Sequence, residues 1–163
     1  MKKPKPTKKT NIFNNPFSKV QENQTFFVAI HMVNTTTSNI ADILAAIPEC
    51  LAHLKQFKMV LILFGGQIEQ LKIFTEKNIS ELANFSIPKK FVEGNDVLDV
   101  LSLTNSFDTS GFGKYIFIHT TVDLKCSMIT QYVNALYKIV WFQKHGLDDN
   151  VGERILLNFG NSL

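Results

Sequence analysis

Four side chains of this 163-residue sequence suggest chemistry by type: His31, His119, Asp123 and Cys126. Two imidazoles with a thiolate or carboxylate can hold zinc, and a histidine beside an acid can move a proton. Their placement argues against either use. Both histidines fall inside apolar runs, in two predicted strands that would lie side by side. His31 stands three residues before Asn34 and His119 two before Thr121. Side chains alternate along a strand, so the two imidazoles are expected on opposite faces of the sheet. Hydrogen-bonded core histidines are the expectation. An enzyme working through His119 or Asp123 is a minor alternative.

The other chemical feature is a cluster of charge. Lys2, Lys3, Lys5, Lys8 and Lys9 crowd the first ten residues, with no acid among them. The formal charge of +3 comes from 17 basic and 14 acidic residues, so without these five lysines the remainder stands at −2. An arm of this kind can bind nucleic acid or an acidic protein surface, with salt-sensitive affinity. Only one arginine, Arg154, accompanies the lysines. Base and phosphate recognition favours the arginine fork, which weakens the nucleic-acid reading.

Other motifs are missing. There is no His-Glu-x-x-His, no Gly-x-Ser-x-Gly and no phosphate-binding loop. Gly111-x-Gly113 precedes a predicted strand and reads as a turn. Cys50 and Cys126 form no CxxC pair, and Cys50 reads as a small core hydrophobe. His53 and His145 read as surface positions.

The elements that would position these residues follow from hydropathy. At 45% hydrophobic and 19% charged, the chain can bury a real core in one domain. That composition excludes a disordered chain and a disulfide-stapled miniprotein. No run approaches the ~18 apolar residues of a membrane span. The charged start has no apolar segment behind it, so a cytoplasmic protein is expected.

Residues 1–23 read as a basic, largely disordered tail, broken by Pro4, Pro6 and Pro16, with Phe13 and Phe17 able to dock. Residues 24–163 read as the folded body. TFFVAIHMV, KMVLILF, YIFIHT and KIVWF are near-continuous apolar runs, as expected of strands covered on both faces. Gly65-Gly66 turns the second run into an antiparallel partner over 68–74. Ile40, Ile43, Leu44, Ile47, Leu51 and Leu54 have helical spacing, with Asn39 and Asp42 as an approximate capping box and a kink at Pro48. A helical turn near 80–84 is expected, then a helix from Val97 capped by Gly94-Asn95. A short helix over 128–136 and a last strand over 153–159 complete the reading. Strands alternating with helices predict an α/β, Rossmann-like three-layer sandwich, with a mostly parallel central sheet and one antiparallel edge hairpin.

In order and spacing these fragments resemble a von Willebrand factor A domain over about residues 24–160. In that family a first strand ends in Asp-x-Ser-x-Ser; here it ends in Asn34-x-Thr36-x-Ser38. A strand, tight turn and antiparallel edge strand follow, similar to KMVLILFGGQIEQLKIF. The family's Gly-Thr-Asp turn resembles Gly94-Asn95-Asp96, and its Thr-Asp-Gly resembles Thr120-Thr121-Val122. The resemblance implies a metal-ion-dependent adhesion site on the loops after the strands. A hard cation there needs oxygen ligands, chiefly carboxylates. Here Asn34 and Thr121 replace the two aspartates, and Asn95 replaces the threonine. Ser38, Asp96 and Asp123 are what remains for a metal. The expectation is therefore a site without its metal, no cofactor and no catalysis. Asn34, Thr36, Ser38, Asn95, Asp96 and Thr121 would form a rim for a protein partner. The alternatives are nucleic-acid binding through the lysine arm and a divalent-metal-dependent ligand-binding domain.

Overall fold

In a computed structural model the structure describes Asn15 and residues 17–33, 37–107, 114–120 and 137–143. The elements run β1 (Thr25–His31), α1 (Thr37–Cys50), β2 (Lys58–Phe64), β3 (Ile68–Thr75), a 3-10 helix (Ile79–Asn84), α2 (Val97–Asn105), β4 (Lys114–Thr120) and β5 (Tyr137–Gln143). The strands form one sheet in the order β3-β2-β1-β4-β5. The β2–β3 pair is antiparallel and every other pair is parallel. The chain thus has an α/β fold with a mixed, mostly parallel sheet.

Alternation sorts the side chains of the central strands into two layers. Phe26, Val28 and Ile30 of β1 join Met59, Leu61 and Leu63 of β2 and Phe117 of β4 on one face. Ile40, Leu44 and Ile47 of α1 cover that face. Phe27, Ala29, Val60, Ile62, Phe64, Ile116 and Ile118 line the other, under Val97, Val100 and Leu101 of α2. Helices therefore lie on both faces, which is why β1 and β2 read as unbroken apolar runs. The edge strand β3 behaves differently. Leu71 and Ile73 are exposed, and between them Lys72 pairs with Glu81 at 3.6 Å. A central lysine guards an open edge against pairing with another strand.

The packed body begins ahead of residue 24. Phe17 and Val20 are buried in the layer under α1. Asn15 donates its side-chain amide to the Cys50 carbonyl at 2.9 Å and accepts the Phe17 amide at 2.9 Å. The first bond satisfies a carbonyl that the end of α1 leaves without a helical partner. Asn23 N–H reaches the Gln56 carbonyl at 2.8 Å, and Lys58 N–H reaches that of Gln24 at 3.1 Å. These bonds stitch the segment to the approach of β2 and move the boundary drawn at residue 24. Residues 1–14, with all five lysines, lie outside the described residues.

Two helix starts differ from expectation. α1 opens at Thr37, so Asn39 and Asp42 sit inside the helix and not at its start. Pro48 falls in the last turn of α1, where it cannot donate to the Leu44 carbonyl and the helix ends two residues later. Tighter turns follow, with Leu51 N–H on the Pro48 carbonyl and Leu54 N–H on that of Leu51. α2 is capped by Asp96 and not by Gly94-Asn95. The segments 128–136 and 153–159 lie outside the described residues.

Candidate functional site at the carboxyl ends of the strands

The chain leaves β1 toward β2 on one side, whereas β4 leads to β5 on the other. Such a reversal opens a crevice beyond the carboxyl ends of the two adjacent strands. β1 ends there at His31 and β4 at Thr120. Of the expected rim residues, Asn34, Thr36 and Thr121 lie outside the described residues, as do Asp123, Cys126 and His145. Ser38 belongs to the first turn of α1. Asn95 is exposed and Asp96 half-buried, in the loop that leads into α2.

Asp96 already has work in the fold. Its carboxylate accepts the Asp99 backbone N–H at 3.3 Å, capping α2, while its own N–H donates to the Gly65 carbonyl at 2.8 Å. Burial, with the nearby Asp99 side chain, raises its pKa above the ordinary aspartate value. Proximity to negative Asp99 disfavours a second charge at this point. Among the described residues no three His, Cys, Asp or Glu side chains are grouped to hold a metal ion.

His31 and His119 do not converge. Ile30 is the register partner of His119, and His31 is the partner of Phe64. His119 therefore shares the α1 face and His31 the α2 face, as alternation predicted. His31 is fully buried, stacks on Phe64 with ring centroids 5.0 Å apart, and places Nε2 2.7 Å from the Gly94 carbonyl. A carbonyl only accepts, so Nε2 carries the proton. Burial lowers the His31 pKa; the Gly94 bond and the Glu93 charge oppose that shift. His53, expected at the surface, is exposed and reaches the Val20 carbonyl at 3.2 Å. Cys50 is half-buried, and burial followed by Glu49 pushes its thiol pKa up, away from the reactive thiolate.

The sequence reading missed how Gly65-Gly66 and the 92–96 loop meet. Phe91 packs on the α1 face and Val97 on the α2 face. Residues 92–96 therefore cross the sheet's carboxyl edge just beyond β2. Gly66 N–H donates to the Val92 carbonyl at 2.6 Å. A Cβ on Gly65 would stand 2.4 Å from the Val92 oxygen, and one on Gly66 2.3 Å from that of Glu93. Gly94 has φ +138°, a conformation open to glycine. Two adjacent glycines after an apolar run were the available signal; which segment they admit is set by tertiary contact.

Among the described residues no helix is long and apolar enough to cross a membrane. No protein-family model and no curated protein matches the chain significantly.

Proposed function

We propose that this chain is a non-catalytic protein-interaction module with a von Willebrand factor A-like fold. A protein partner docks on the loops at the carboxyl ends of its parallel strands, and no divalent ion takes part. The observation that carries this reading is the strand order β3-β2-β1-β4-β5, with a single antiparallel edge strand and helices on both faces. It agrees with the order of elements in the resemblance drawn from Asn34-x-Thr36-x-Ser38, Gly94-Asn95-Asp96 and Thr120-Thr121.

The donor chemistry supports the metal-free part. A hard dication draws its affinity from carboxylates. Asn34 and Thr121 offer neutral oxygens, and Asp96 is engaged as a helix cap. The donor set does not fit such an ion. What the rim offers instead is neutral hydrogen-bonding groups beside an exposed loop, a chemistry suited to a polar protein surface. The lysine arm adds long-range attraction to an acidic partner.

A capture experiment from the native source tests this, using the full chain, a chain lacking residues 1–14, and the double variant Asn95→Ala/Thr121→Ala. Each is run in chelator and in magnesium. The same partner should be retained without the arm and in chelator, and lost with the double variant. Loss on removing the arm would favour the nucleic-acid or tail-mediated reading, and loss in chelator a working metal site.

A further inference from the structure

We infer that residues 92–96 form a strap over the carboxyl edge of the sheet that opens as a unit, and that His31 is the pin holding it shut. The strap is anchored at both ends by apolar side chains, Phe91 on one face and Val97 on the other. Between the anchors it buries almost nothing apolar. Val92 is 48% exposed, and Glu93, Gly94 and Asn95 are exposed as well. Four hydrogen bonds tie it to the sheet and its β2–β3 turn: Gly66 N–H to Val92 O, Asp96 N–H to Gly65 O, Val92 N–H to a Glu69 carboxylate oxygen, and His31 Nε2–H to Gly94 O; at its end Asp96 also accepts the Asp99 and Val100 amides of α2.

These bonds are not equivalent. Three of them join the strap to the β2–β3 turn and edge strand, one at the buried Gly65 and one, from Val92 to Glu69, at the surface. The fourth comes from a side chain that is 0% exposed and stacked on Phe64 at the end of the central strand β1. His31 therefore ties the middle of the strap, at its glycine, to the buried central strand of the sheet. A segment with few apolar contacts and local hydrogen bonds opens below the free energy of global unfolding. Opening would uncover the His31 ring and free the Gly65-Gly66 backbone without disturbing either core layer. The strap carries Asn95 and Asp96, so its opening would reshape the proposed docking rim. That consequence rests on the reading above, whereas strap and pin stand on the hydrogen bonds alone.

Native-state amide hydrogen exchange on the full chain tests the inference with no partner present. The Gly66 and Asp96 amides are the reporters, and Val60 and Leu61 in β2 are the reference. In the unaltered chain the two reporters should exchange faster than the reference and with matching protection. His31→Phe keeps the stacking ring but removes the donor. It should lower protection of both reporters by about tenfold, with Val60 and Leu61, which report global unfolding, falling by no more than that factor. His31→Gln, which restores an N–H, should recover part of that loss. Reporter protection equal to that of the reference in the unaltered chain would overturn the strap, even if neither variant folds. Unchanged reporters in a folded His31→Phe variant would overturn the pin.

Discussion

The ring of Phe17 meets the ring of Phe117 edge-on, with centroids 4.6 Å apart. This contact joins the start of the described chain to the strand next to β1. Phe26 completes the group, at 5.6 Å from Phe17 and perpendicular to Phe117 at 5.9 Å. Tilted and edge-to-face pairs of this kind add to the gain from burial alone. Phe17→Ala should therefore destabilise the protein by about 3–5 kcal/mol, read as a lower urea midpoint at unchanged slope. Deleting residues 1–14 should leave the midpoint nearly unaltered. A Phe17→Ala effect below about 1 kcal/mol, typical of a surface change, would show that the segment does not belong to the body.

His31 sets a pH dependence. Its pKa in the folded protein is lowered by burial, so the unfolded chain takes up a proton there more readily. The stability it contributes is complete above the ordinary histidine value of about 6.5 and declines as pH falls toward the lowered native value. Urea midpoints from pH 8 to pH 5 should fall more steeply for the unaltered chain than for His31→Phe. Parallel curves would contradict the assignment.

Gly66→Ala should cost about 1–3 kcal/mol, because a Cβ would meet the Glu93 carbonyl at 2.3 Å. That atom is backbone, so relief requires the whole 92–96 crossing to move. Gln67→Ala, one residue on and exposed, should change stability by less than about 0.5 kcal/mol. Thermal unfolding of the two variants side by side distinguishes a tight crossing from a merely sensitive turn.

Asp96 is a cap before it is anything else. Asp96→Ala should cost about 1 kcal/mol, while Asp96→Asn, which keeps an acceptor for the Asp99 N–H, should cost far less. Equal losses from both substitutions would show that the charge of Asp96, and not its hydrogen bond, matters to the fold.

The clearest parts of the fold in the sequence were those made by one continuous apolar run. Lys58–Phe64 was expected as β2 and is β2 to the residue, because a buried run bounded by Gly65-Gly66 has one simple solution. The opening of α1 was less legible: Thr37 and Ser38 resemble the preceding loop in composition yet lie inside the helix. Asn15–Asn23 read as tail because two isolated apolar residues have no period, and the bonds that dock the segment run to Cys50 and Gln56, far along the chain. The His31–His119 separation was readable because alternation depends only on parity. The strap was not, since backbone groups make two of its bonds and carry no trace in residue type. Of the rim, only Ser38, Asn95 and Asp96 fall on described positions.

The central claim, a docking rim that works without a metal, is tested most directly by thermal unfolding of the full chain in magnesium or manganese against chelator. A site with a dissociation constant near 0.1 mM would add about 2.7 kcal/mol at a hundredfold excess of ion over that constant. The account predicts the same Tm in every arm. A saturable rise in Tm at sub-millimolar ion, abolished by Asp123→Asn, would contradict it.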